Sequence, residues 1–208
     1  MHISEGVLSG PVLLSGMALA AAGTGIGIKK LDFDHLAEAG ILSAAFFVAS
    51  LIHVPIGPSS VHLLLNGIIG LLLGWAAFPS IMVALFLQAI FFQFGGLTTL
   101  GVNTVVMALP GVVCYYLFAP LLWKKKPVAV GAAFACGFLA VLGSALLLGG
   151  ALYFSEKNFL EVATLAVMAH LPVMIIEGII TAFCLEFLKK VNPEILPARA
   201  GRPPVTGN

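Results

Sequence analysis

The chain has 208 residues, 60% of them apolar and 9% charged, with a mean hydropathy of +1.10. Soluble domains carry about a quarter charged residues, so the composition excludes an ordinary cytosolic enzyme, a disordered segment and a disulfide-stapled secreted scaffold. Ten Lys/Arg against nine Asp/Glu leave a formal charge of +1, which offers nucleic acid no basic field. A polytopic membrane protein remains, with one integral-membrane domain over 1–190 and a flexible cytoplasmic tail over 191–208.

A helix needs about 20 mostly apolar residues to cross the hydrocarbon core. Seven stretches qualify, at 11–28, 39–56, 60–78, 80–95, 102–123, 128–154 and 162–188. They are continuous and too long for the alternating ten-residue strands of a barrel, so the fold class is an all-α membrane protein of about seven transmembrane helices. The first run is read as a span and not as a cleaved signal peptide. No Lys or Arg precedes it, and Lys29 and Lys30 follow it as a stop.

With the amino terminus outside, Lys29, Lys30, Lys124–Lys126, Lys189, Lys190, Arg199 and Arg202 fall inside, and Lys157 alone falls outside. The positive-inside rule therefore places the amino terminus outside and the carboxyl terminus in the cytoplasm. The loop from Leu31 to Glu38 is acidic and amphipathic. Small residues four apart, Gly23/Gly27, Gly70/Gly74 and Ala18/Ala22, predict close helix packing. Cys114, Cys136 and Cys184 stand singly in apolar runs and read as packing residues.

On this topology the polar groups collect at the outer face. They are Met1–Ser4, His53, Ser59, Ser60, His62, Gln93 and the loop from Gly95 to Asn103. Polar groups at membrane depth face a cavity or one another, and a shared outward pocket accounts for them.

The first two residues bring specific chemistry. A free amine followed by histidine chelates a metal through three nitrogens. The Met1 amine and His2 amide close a five-membered ring, and the His2 amide and Nδ1 close a six-membered one. This planar set suits Ni²⁺ or Cu²⁺, and a low-spin Co²⁺ tolerates it. A fourth nitrogen completes the square, and His62, read as entering the third span after Pro58-Ser59-Ser60, is the donor in reach. A helix N-terminus disfavours a cation there, which neutral imidazole and loss of the amide proton offset. His170 and Glu177, seven apart and on one helix face, form a second constellation. They are read chiefly as satisfying each other or neighbouring helices, as is Gln88.

These residues also carry a resemblance. Met1-His2-Ile3-Ser4-Glu5-Gly6, Pro58-Ser-Ser-Val-His62-Leu-Leu-Leu-Asn66-Gly67 and Gln93-Phe-Gly-Gly-Leu-Thr-Thr-Leu-Gly-Val-Asn103-Thr104 resemble, in order, three markers of the CbiM/NikM family. These are the substrate-binding (S) components of energy-coupling factor (ECF) transporters for cobalt and nickel. The resemblance covers all seven spans. It implies an amino-terminal loop folded into the outward cavity and a square-planar site formed by the Met1 amine, the amide and ring nitrogens of His2, and His62. Gln93, Thr98 and Asn103 would hold the loop or the ligands from behind.

The resemblance further implies a transmembrane coupling (T) subunit, two cytoplasmic ATPases and, in some systems, a small accessory membrane subunit, in a prokaryotic inner membrane. No Gly-Lys dipeptide occurs, so the chain has no P-loop of its own. The expected function is capture of Co²⁺ or Ni²⁺ as substrate, with no prosthetic group. A proton-coupled carrier built on His170 and Glu177 is the alternative. An intramembrane metalloenzyme is disfavoured because no H-E-x-x-H pattern is present.

Overall fold

The computed structural model describes residues 1–32, 35–51, 53–56, 59–156 and 160–197, with side chains described for all of these except 53–56, 59–61, 160 and 163. Helices dominate: α1 (Gly10–Lys30), α2 (Leu36–Ala49), α3 (Asn66–Leu73), α4 (Ala77–Phe92), α5 (Leu100–Phe118), α6 (Lys126–Ser155), α7 (Leu160–Ala169) and α8 (Leu171–Val191). Among the described residues, five helical stretches, 10–30, 66–92, 100–121, 126–155 and 171–191, are long and apolar enough to span a bilayer. Large apolar side chains such as Leu14, Phe91, Phe154 and Phe183 point outward, as a lipid-facing surface requires. The chain is a multi-pass membrane protein.

Helix α5 forms the centre. Every residue from Gly101 to Ala108 is buried, and α1, α3, α4 and α6 all pack against it. Close approach depends on missing side chains. A Cβ on Gly16 would overlap Val102, one on Gly27 would meet Trp75 and Pro79, and one on Gly70 would meet the Gly111 backbone. Overpacking such a contact costs about 1–3 kcal/mol or more. Gly70→Val is therefore expected to lower the melting temperature of the detergent-solubilised chain, whereas Gly25→Ala, in open space, leaves it unchanged. Gly23 faces Phe78 in the same way, but Ala18 and Ala22 are exposed, not packed in the bundle. Cys114 and Cys136 are buried free thiols, as read from their surroundings.

Three expected spans differ from the structure. The second, 39–56, ends as helix at Ala49, and its last residues form strand β1 (His53–Ile56). The third, 60–78, is not one helix. Strand β2 (Ser59–His62) pairs antiparallel with β1, placing His53 opposite His62, and helix begins only at Asn66. So a short two-stranded ribbon interrupts the helical bundle, and His62 ends a strand instead of entering a helix. Helix α3 has eight residues, about 12 Å of rise. It stops at Gly74, which takes φ +53° before a 3₁₀ turn leads into α4, so the Gly70/Gly74 pair is half packing and half helix break.

The last expected span, 162–188, breaks into α7 and α8 at His170, where Pro172 opens α8. A proline in the first turn forfeits no intrahelical hydrogen bond, yet it cannot continue the helix before it. The hydrocarbon region tolerates such irregular backbone where protein surrounds it.

Buried polar side chains tie these pieces together. Asn66 Nδ2 donates to Met107 O (3.0 Å) and Ser144 Oγ (2.8 Å), joining α3, α5 and α6. Gln88 Nε2 donates to Phe47 O (3.2 Å) and to Ser50 Oγ, joining α4 to the end of α2, as its structural reading requires. At the end of the bundle holding Lys124–Lys126 and Lys189–Lys190, Glu186 pairs with Lys126 and Lys189, each at 3.6 Å. There the expected tail starts with a docked segment: Leu196 is buried and Trp123 Nε1 donates to Pro197 O (2.9 Å). Residues 198–208 lie outside the described residues, as do 33 and 34 of the acidic loop.

Candidate metal centre

The amino terminus is inserted into the protein. Met1 and Ile3 are 0% exposed and His2 5%. Side-chain bonds to its backbone, with one backbone pair, hold this segment along the loop that precedes α5 and the first turn of that helix. Ile3 N–H donates to Asn103 Oδ1 (2.9 Å), while Asn103 Nδ2 (3.2 Å) and Thr99 Oγ1 (3.0 Å) both donate to Ile3 O. Two residues on, Glu5 N–H donates to Gly95 O (3.1 Å), and Glu5 Oε1 accepts from Thr98 N–H (3.2 Å) and Thr98 Oγ1 (3.4 Å). The loop can lie this close because Gly95 and Gly96 adopt φ of +74° and +142°. A Cβ on Gly96 would also overlap the Glu5 side chain.

That anchoring delivers His2 against His62. Their ring centroids are 4.8 Å apart, with planes inclined at 53°, and Phe94 closes the other side of His2 at 5.8 Å. His62 is buried, and its Nδ1 lies 2.7 Å from Leu63 O. A carbonyl only accepts, so Nδ1 carries the hydrogen and Nε2 keeps its lone pair. That Nε2 is buried with no hydrogen-bond partner among the described residues.

Electrostatics favour ligand forms. Burial pushes the Met1 ammonium well below the usual range of an α-amine. Burial likewise pushes His62 well below an ordinary imidazole, helped by the nearby amino terminus and then His2. Both groups are thereby biased toward the neutral, lone-pair-bearing forms that bind metal. Among the described residues no group of three or more His, Cys, Asp or Glu side chains is placed to hold a metal. The terminal amine and the His2 amide add two main-chain nitrogens beside the His2 and His62 rings.

The structure thus brings Met1, His2 and His62 together and places Asn103 directly behind the loop. Thr98 is exposed and acts on the loop through Glu5. Gln93 does not reach the ligands: it is exposed, and it contributes a left-handed backbone (φ +57°) that ends α4. The side chain of His53 lies outside the described ones. His170 Nδ1 donates to Ala166 O (2.6 Å) and Glu177 Oε1 accepts from the Leu64 and Leu65 N–H groups, so each is held through one atom by backbone and not by the other, while His170 Nε2 and Glu177 Oε2 are buried without a partner among the described residues.

Thr99 and Glu5 were missed. The only signal for Thr99 was its place in the loop already singled out, and Glu5 gave none beyond lying next to the chelate. Asn103→Ala would leave the buried Ile3 N–H without its acceptor, while Thr99 Oγ1 still donates to Ile3 O. Each buried unpaired group costs about 1–3 kcal/mol, so metal affinity is expected to fall about 10- to 100-fold. A titration beside the apo melting curve checks this, since the bundle should melt nearly as before.

Comparison with known proteins agrees with this architecture. A family described as "CbiM: Cobalt uptake substrate-specific transmembrane region" matches residues 2–195. A Haemophilus influenzae protein that carries a provisional metal-transport name is 44% identical over 94% of this chain and 97% of its own length. The fused nickel transport protein NikMN of Rhodobacter capsulatus is 32% identical over 98% of this chain, which spans 66% of that longer protein. The cobalt transport protein CbiM of Sorangium cellulosum is 32% identical over 94% of both chains. A solved structure titled as a transition metal transporter superimposes with a TM-score of 0.75 at 30% identity, covering 93% of this chain and 94% of that one. With its family matched from end to end of the helical bundle, this chain belongs to the CbiM family.

Proposed function

We propose that this chain is the substrate-capture subunit of an ATP-driven importer of Co²⁺ or Ni²⁺. The observation that carries the reading is the buried amino terminus, set beside two histidine rings 4.8 Å apart. The Met1 amine, the His2 amide and Nδ1, and His62 Nε2 form the four-nitrogen set. Metal binding expels a proton from the His2 amide and replaces bound water with nitrogen. Mg²⁺ and Ca²⁺, which prefer oxygen ligands, are rejected. Copper binds such a set more tightly than nickel or cobalt, so availability and the partner subunits exclude it.

The amino terminus faces outside. In support, the described lysines gather at the end of the bundle where α1, α5 and α8 finish, opposite the Met1 end. The subunit acts in a prokaryotic inner membrane with a transmembrane coupling subunit and two cytoplasmic ATPases, with or without a small accessory membrane subunit. It carries out no ATP chemistry of its own.

Uptake of radiolabelled Co²⁺ and Ni²⁺ into vesicles, with and without the coupling subunit and ATPases, tests the reading. Uptake that needs both, and that Mg²⁺ in excess leaves intact, is the expected result. Uptake by the chain alone, abolished by Glu177→Gln, would instead establish a proton-coupled carrier.

A further inference from the structure

The backbone between His62 and α3 is held from a distance. Leu64 N–H donates to Glu177 Oε1 at 2.5 Å and Leu65 N–H to the same oxygen at 2.8 Å, from a carboxylate 0% exposed in α8. Leu65 sits in the left-handed region at φ +53°, an uncommon conformation for a branched side chain. The other carboxylate oxygen, Oε2, is buried without a hydrogen-bond partner among the described residues. Nothing in the four-nitrogen set calls for a buried acid at this place.

One peptide group connects the two sites. The planar amide linking Leu63 to Leu64 bears the Leu63 carbonyl on one side and the Leu64 N–H on the other. That carbonyl oxygen accepts from His62 Nδ1 at 2.7 Å, and that N–H donates to Glu177. We propose that Glu177 is a positioning residue for the metal, acting through this peptide to fix the tautomer and aim of His62 and to strengthen its Nε2 as a donor. The proposal rests on the reading of His62 as a metal ligand.

The physics is that of carboxylates behind metal-bound histidines, with a peptide inserted between acid and ring. In metal sites the second ring nitrogen donates to a carboxylate or carbonyl, which orients the ring and raises its basicity. Here the acceptor is a carbonyl whose own amide donates to Glu177; the ionised form of that carboxyl polarises the amide, and hydrogen bonds in a chain reinforce one another. The left-handed Leu65 serves the same end, because it turns both amides toward a single oxygen. Plain helix capping would need an acceptor oxygen but no charge, so the two roles separate under substitution.

Glu177→Gln keeps an oxygen for the two amides and removes the charge. In the purified full-length chain with a free amino terminus, titrated with Ni²⁺, it is expected to weaken binding about 10- to 100-fold. The visible d–d band of bound nickel should move to lower energy, as a weaker fourth donor requires, while the apo protein melts as before. Thr181→Val, one turn further along α8, should change neither reading. Wild-type affinity and an unshifted band in Glu177→Gln would overturn the proposal and leave Glu177 a helix cap.

His62→Ala in the same titration keeps the two ideas apart. If it binds nickel like the wild type, the assignment of His62 as ligand has failed. If it loses nickel while Glu177→Gln does not, only the relay has failed. A measurement free of substitutions stands beside these: ¹⁵N spectra of the histidine-labelled apo chain should show His62 protonated at Nδ1. Protonation at Nε2 instead would refute the relay.

Discussion

Two residues added ahead of Met1 are expected to reduce bound Ni²⁺ or Co²⁺ from about one ion per chain, the capacity of a single four-nitrogen site, to background. The extension turns the terminal amine into an amide nitrogen, so the first chelate ring loses its best donor. It also has no room: Met1 is 0% exposed, and Ile3 is clamped by Asn103 and Thr99. The added residues would have to displace side chains of the apolar core that encloses Met1, or withdraw the whole segment and carry His2 away from His62. Either path disassembles the site while leaving the helices intact. Metal content by mass spectrometry, compared between the extended chain and one tagged at the carboxyl end, reads the outcome directly. Equal loading of the two forms would sink the chelate, and the ion retained by the unmodified form would name the preferred substrate.

His62→Ala is the second large effect. It removes the fourth nitrogen but leaves the three supplied by Met1 and His2, so binding should persist only weakly, with water completing the square. A loss greater than about 100-fold is expected, beyond the range typical of removing an outer partner of a ligand. The ring is buried against His2, and its deletion also leaves a void. A fall in apo stability of roughly 1–3 kcal/mol would be ordinary for a lost buried side chain. The decisive comparison is therefore affinity against apo melting. Loss of affinity far larger than the fall in stability identifies a ligand, whereas a matched decline would make His62 a packing residue.

Much of the helical plan was legible from composition. The runs 11–28, 102–123 and 128–154 correspond to α1, α5 with its terminal 3₁₀ turn, and α6, because a continuous apolar helix has one economical solution in a bilayer. The spans at 60–78 and 162–188 were not legible as broken. Hydropathy reports how deep a residue lies and is blind to whether its backbone is helical there. The apolar run Val61–Leu65 looks like the start of a helix, but its first residues pair with β1 and the Glu177 carboxylate, far along the chain, takes the Leu64 and Leu65 amides.

By itself, the sequence determined that the chain lives in a membrane and that its first two residues can chelate a metal. These are properties of composition and of adjacent atoms. That the amino terminus is buried, that His2 meets His62, and that Glu177 holds the peptide behind that ring were decided only by tertiary structure. Each depends on the distances between α3, α5, α8 and the loop before α5. Those distances are set by glycine contacts and buried polar clips between segments about 100 residues apart, beyond the reach of any local pattern.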